Sequence, residues 1–275
     1  MNKTIILIIL FSLTVLAQNT IKSGEINNSA KDGYSGAVSG TWTSDTVKIV
    51  GDIYIPEDSV LTINPNVNVY FTGEYSFNVY GTLLAEGTAQ NNINFFSDSL
   101  AEITTYPYYK GFWKGINFLG TDSTNQQTSI LKFCNIRYSF EKWIDQIQDR
   151  IGGAIVVYKS KVNLEDVSFD SCQGRISGGI YINGSDVAFT NIYLNKIIFD
   201  YAVYAINSYV RFEGGEITDG VGAIKLSNSK LSLKNFIIDN NHNQYAKGAG
   251  IYSENSNLEI YDTEISNNSA YSSGG

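Results

Sequence analysis

The chain is poor in the residues that clamp a fold from outside. Its 275 residues include 2 Cys, 3 Pro and 1 His. Two cysteines exclude the multi-bridge framework of small exported domains. Cys134 and Cys172 also fall on different strands of successive repeats, a placement awkward for a bridge. The single histidine, His242, has Asn on both sides and reads as a solvated loop residue rather than a catalytic base. Basic side chains are outnumbered, 19 Lys and Arg against 27 Asp and Glu, for a net charge of −8. Such a surface repels polyphosphate, which argues against a nucleic-acid partner. Helix-favouring composition is missing too, because Ile, Val, Tyr, Ser and Asn take the place of Leu, Ala, Glu and Lys.

Only one long apolar run exists, Ile5 to Leu16, and it is short for a transmembrane helix. Val15-Leu16-Ala17 offers a cleavage site before Gln18, so residues 1–17 are expected to be a secretory signal peptide. Its loss removes Lys3 and no acid, and leaves no transmembrane helix. Residues 18–40, polar and rich in Asn, Ser and Gly, read as a flexible N-terminal segment.

What the chain does have is self-similarity. Five stretches align without gaps: Ala154 to Asp170, Gly179 to Asn195, Ala202 to Thr218, Ala223 to Asp239, and Gly250 to Ser266. Each begins with a small residue, as does Gly115. Aliphatic pairs follow at period two, such as Ile155 with Val157 and Ile224 with Leu226, the mark of a strand with one face inward. Then comes serine, at Ser160, Ser185, Ser208, Ser229 and Ser256, with Ser129 assigned to the same column. A hydroxyl there can bond local backbone in a tight turn. A second strand carries inward pairs such as Val162 with Leu164 and Val187 with Phe189. Next stands Asn135, Asp166, Asn191, Gly214, Asn235 or Asp262, residue types that tolerate a left-handed backbone and so predict a one-residue corner. A third strand follows.

Three short strands, two tight corners and one variable connection per coil of about 21 to 27 residues predict an all-β solenoid, a right-handed parallel β-helix. Residues 41–118 read as irregular N-terminal coils and 119–275 as regular coils, with an insertion at 139–151 where Phe140, Trp143, Ile144 and Ile147 stand at helical spacing. Ser273-Gly274-Gly275 falls where a further coil would begin, so the reading includes truncation there and continuation of the chain beyond Gly275.

These residues resemble the bacterial right-handed β-helix repeat proteins, which include the pectate-lyase-like fold and the polymorphic outer-membrane proteins. The latter carry a Gly-Gly-Ala-aliphatic motif, matched by Gly152-Gly153-Ala154-Ile155 and nearly by Gly178-Gly179-Ile180. Their Phe-x-x-Asn motif occurs here with Ile, as Ile238 with Asn241 and Ile265 with Asn268. The resemblance implies a secreted or outer cell-surface location and a fold that hosts lyases, hydrolases, tailspikes and adhesins alike.

In enzymes of this resemblance the substrate lies on the outer face of the first strand. That face here includes Val156 and Tyr158, Tyr181 and Asn183, Tyr204 and Ile206, Lys225 and Ser227, Tyr252 and Glu254. Glu254 is the one carboxylate among them, where a glycosidase of the usual kind needs two. No catalytic residue, metal site or cofactor is expected. Tyr158, Tyr181, Tyr204, Lys225 and Tyr252, with Trp113 and Trp143 bordering, are the candidate contacts for a polysaccharide or surface glycan; stabilisation of the sheet by stacked tyrosines is the other reading. The leading expectation is a non-catalytic, adhesin-like β-helix. The alternative is a polysaccharide lyase or glycoside hydrolase whose catalytic residues lie outside residues 1–275.

Overall fold

Period-two alternation gives every short strand one apolar side, and a parallel stack is the arrangement that hides all those sides at once. In the computed structural model, which describes residues 33–97, 113–120, 127–140, 153–174, 176–198, 200–243 and 247–271, they turn to one common interior. The fold is an all-β parallel solenoid of about eight turns, without a helix among the described residues. Residues 1–17, expected to be a signal peptide, the greater part of the 139–151 insertion and Trp143 lie outside the described residues.

First strands stack in the order Ile116–Leu119, Ile155–Tyr158, Ile180–Asn183, Tyr201–Ile206, Gly222–Ser227 and Ile251–Glu254, each parallel to the next. Second and third strands of a coil run on as one element bent at a single residue, as in Val162–Asp170, Asp186–Asn195, Tyr209–Thr218 and Lys230–Asp239. The bend is the predicted corner: Asp166, Asn191, Gly214, Asn235 and Asp262 all have φ between +47° and +75°. The earlier coils stack in the same parallel way, but longer turns at 56–59 and 64–67 join their strands. Tyr34–Ala37 and Gly40–Trp42 already pair with the next coil, so the stack starts inside the stretch read as a flexible lead-in.

Left-handed residues mark the other two corners as well. Lys159, Gly184, Asn207, Asn228 and Asn255, at φ +46° to +63°, precede the serine column. Ser171, Lys196, Asp219, Asn240 and Asn267, at +50° to +58°, close the third strand at a corner the repeat pattern did not reveal. Each of the later coils is thus three strands joined by one-residue bends.

A bend leaves peptide N–H groups without a strand partner, and side chains fill the gap. The amides of Ser160, Ser185 and Ser208 each donate to the serine Oγ of the following coil at 3.2 Å, and Ser229 N to Ser256 Oγ at 2.9 Å. Each of these hydroxyls from Ser185 onward donates in turn to the carbonyl two residues back, for example Ser208 to Ile206 O at 2.7 Å. At the third corner buried Asn241 does the same work: its Oδ1 accepts from Gly220 N, and its own amide donates to Asn268 Oδ1.

One register differs from the reading by residue type. Ser129 pairs with Val162 rather than Ser160, and Leu131 with Leu164. The corner in that coil is Phe133, at φ +47°, while Asn135 points outward and donates to Asn94 Oδ1 at 2.8 Å. Inward packing decides this: Leu131, Cys134 and Ile136 continue the columns of Leu164, Val167 and Phe169. A two-residue slip keeps strand parity, so alternation alone does not detect it. Cys134 and Cys172 are both buried and unbridged; burial pushes the Cys172 thiol up to about 11 and the Cys134 thiol higher still. His242 is not in a loop: His242–Asn243 pairs with Ser269–Ala270, and its ring bonds Ser269 Oγ and Asn240 Oδ1.

A valine forced into a left-handed bend costs about 1–2 kcal/mol. Asn191→Val and Asn235→Val should therefore each lower the denaturation midpoint by a corresponding amount, while Asn191→Gly, which tolerates the same φ, stays much closer to wild type. Unchanged midpoints in both valine variants would refute the bent corners.

Candidate ligand-binding face

The outer side of the first strands is where side chains are spared interior packing. Strand register lines up Val156, Tyr181, Tyr204, Lys225 and Tyr252 as one column, in that order through successive coils. Neighbours in such a column stand about 4.8 Å apart. Tyr252 lies two coils beyond Tyr204, with Lys225 between them, as the repeat predicts.

Exposure separates these residues. Tyr158 is 40% exposed, and Tyr204, Lys225 and Tyr252 are partly exposed. Tyr181, expected to project to solvent, is only 3% exposed. Its ring meets Tyr204 edge-on at 5.8 Å, and its hydroxyl accepts from Asn183 Nδ2 at 3.1 Å. It supports the face rather than offering a contact. Trp113 is corrected more sharply: it is fully buried, stacks on Phe71 at 4.2 Å and donates from Nε1 to Arg137 O at 2.9 Å. An aromatic beside an insertion looks like a rim residue in sequence, yet here it plugs the interior.

Two residues absent from the sequence reading adjoin the face: Asp200, half-buried, and Tyr201, which at 1% exposed underlies it as Tyr181 does. Tyr201 and Asp200 stand just ahead of the small-residue column, in the variable connection, where the repeat assigns nothing. Tyr201 is paired in register with Gly222. A Cβ on Gly222 would sit 2.8 Å from Tyr201 Cδ1, so the missing side chain lets the tyrosine ring lie over that coil. The ring reaches Tyr252 two coils on, at 6.4 Å and nearly parallel, and its hydroxyl donates to Lys247 O. Lys225 Nζ sits 4.6 Å from the Tyr204 centroid and 5.9 Å from that of Tyr201, a cation held against two ring faces. Tyr252 donates its hydroxyl to Glu254 Oε1.

Asp200 accepts from Tyr201 N at 2.9 Å. Burial raises its carboxyl to about 6, only partly opposed by that hydrogen bond and by Lys225. Burial likewise raises the phenols of Tyr181, Tyr201 and Tyr204. The result is an amphipathic strip: ring faces, one ammonium and two carboxyls along the stack. Its chemistry suits the apolar faces and hydroxyls of a sugar polymer. Among the described residues no three His, Cys, Asp or Glu side chains are grouped as a metal site, and none forms a helix long and apolar enough to cross a membrane. Comparison with protein-family models, with curated proteins and with solved structures finds no match to this chain.

The raised carboxyl has a definite linkage. A folded pKa of about 6 above an unfolded value of 3.8 means the native state holds the proton more tightly. The contribution of Asp200 is therefore most favourable below the unfolded value and is lost as pH rises from about 4 through 6. Asp200→Asn keeps an oxygen for Tyr201 N and should gain on the order of 1–2 kcal/mol over wild type at pH 7, with no gain at pH 3.5. Equal stability of the two proteins at both pH values would contradict the burial of this carboxyl.

Proposed function

We propose that the protein is a secreted or cell-surface, non-catalytic β-helix that binds glycan through the outer face of its first strands. The observation carrying this reading is the strip of Tyr204, Lys225 and Tyr252, partly exposed on the outer face of the first strands, with exposed Tyr158 on the same face. Sugar rings present alternating apolar faces and hydroxyls, and tyrosine meets both with one side chain of low conformational entropy. The regular spacing of strands repeats the contact along an extended polymer, so weak single contacts add by multivalency. The signal sequence read at residues 1–17 supports export, and the resemblance to β-helix surface proteins supports an adhesin-like role.

A second reading has one observation in its favour. Asp200 holds a carboxyl near 6, the range of a general acid, on this same face. In that reading the chain is part of a polysaccharide lyase or hydrolase. Release of unsaturated or reducing ends from a polysaccharide panel, lost in Asp200→Asn, would establish it over the binding reading.

Binding itself is tested by a variant carrying Tyr158→Ser, Tyr204→Ser and Tyr252→Ser. All three side chains face outward, so the interior is untouched. Retention on immobilised polysaccharide should fall at least tenfold, with a melting temperature within a few degrees of wild type. A lower melting temperature with unchanged retention would instead assign the tyrosines to sheet stability.

A further inference from the structure

The outer face of the first strands reaches further along the stack than the regular repeat. Phe77–Val79 pairs in parallel with Ile116–Leu119, and that strand with Ile155–Tyr158, so seven successive first strands share one outer side, ending at Ile251–Glu254. Four of the seven coils carry a tyrosine open to solvent. Tyr80, directly after Phe77–Val79, is 40% exposed, as is Tyr158, and Tyr204 and Tyr252 are partly exposed. These are the first, third, fifth and seventh coils of the series. On the first strands of the second, fourth and sixth no ring is exposed, Tyr181 being buried in the fourth. Those coils present instead the polar side chains of Asn117, Asn183 and Lys225, all partly exposed.

An open ring therefore recurs at every second coil. Neighbouring strands lie about 4.8 Å apart, so the recurrence is about 9.6 Å and the four rings span about 29 Å. Tyr80 and Tyr158 stand two residues further along their strands than Tyr204 and Tyr252, so a line through the four runs slightly oblique to the axis of the stack. Each ring is held by a neighbour. Tyr54 meets Tyr80 edge-on at 6.4 Å, Lys159 Nζ lies 5.7 Å from the centre of the Tyr158 ring and Lys225 Nζ 4.6 Å from that of Tyr204, and the Tyr252 hydroxyl is tied to Glu254. Side chains fixed before a ligand arrives lose less freedom when it binds.

A two-coil period fits a polymer whose own repeat is two units long. In an extended β-1,4-linked polysaccharide each pyranose is turned over relative to its neighbour, so the same sugar face returns at every second unit, at a distance close to two strand separations. We infer that this face binds a neutral, extended β-1,4-linked glycan lying along the stack, with Tyr80, Tyr158, Tyr204 and Tyr252 each against every second sugar. Asn117, Asn183 and Lys225 then stand level with the intervening sugars, whose hydroxyls match their amide and ammonium groups. The net charge of −8 favours an uncharged polymer over a polyanion. An α-1,4-linked glucan coils and does not return one face at this interval. The inference rests on the glycan-binding reading and adds the linkage of the glycan, with Tyr80 as a further contact.

The test is titration calorimetry of the full chain with cello- and chito-oligosaccharides of two to six units, beside maltohexaose and hexagalacturonate. Affinity for the β-1,4 series should rise in steps at three and five units, as a second and a third ring are reached. At six units it should exceed that for maltohexaose and hexagalacturonate by about tenfold, since ring contacts add along one chain. Tyr80→Ser should weaken retention on amorphous cellulose or chitin several-fold and leave the trisaccharides unchanged, while Tyr80→Phe, which keeps the ring, binds as wild type. A β-1,4 hexasaccharide held no better than maltohexaose or hexagalacturonate, or unchanged retention in Tyr80→Ser, overturns the inference. If the variant lacking Tyr158, Tyr204 and Tyr252 then still loses every glycan alike, the binding face stands without this linkage. Absence of binding to any glycan overturns both.

Discussion

A peptide N–H at a sharp bend has no neighbouring strand to receive it, and leaving it buried and unpaired costs about 1–3 kcal/mol. In a solenoid that cost recurs at every corner of every coil. Here it is met by a side-chain oxygen one coil further along the stack: Ser185, Ser208, Ser229 and Ser256 at the first corner, Asn241 and Asn268 at the third. The left-handed residue beside each of them turns the chain in one step, so the three strands of a coil stay in register with those of the next. Everything else follows from that register. Inward columns meet apolar columns, as where Phe189 meets the Phe212 ring of the next coil edge-on at 5.4 Å, and outward columns become ladders of like position.

Those outward ladders differ in chemistry along the surface. On the third strands the ladder is polar and self-satisfied from Asn68 through Asn94 and Asn135 to Ser168, before it passes to Tyr193, Glu216 and Ile237. On the first strands they turn aromatic and charged over the coils holding Tyr158, Tyr204, Lys225 and Tyr252. Exposed ion pairs such as Lys234 with Glu213 and Lys230 with Glu259 contribute little to stability.

Much of this was legible in the sequence, because a solenoid writes the same constraint once per coil. Small residues, serines and Asn or Asp corners recur together, and period-two alternation assigns the faces. Reading by residue type failed where one type serves two purposes. Ser129 occupies an inward position in its own coil, where its Oγ accepts from Leu83 N at 3.1 Å, and Asn135 is an outward ladder residue rather than a bend. Trp113 and Tyr181 were misplaced because aromatic residues serve equally as plugs and as platforms, and only packing tells which. Tyr201 and Asp200 escaped notice because they lie in the connection whose length varies; the clue was Gly222, the small partner that makes room for Tyr201 in the following coil.

The central claim is that side-chain ladders at the corners, and not the strands alone, close the hydrogen bonding of the stack. Amide hydrogen exchange at Ser185, Ser208 and Ser229, followed residue by residue, tests it most directly. Bonded to serine hydroxyls of the adjoining coil, these three amides should be protected to the same degree as strand amides such as Phe189 and Phe212. Exchange at the rate of open turns, with the flanking strands still protected, would contradict the account.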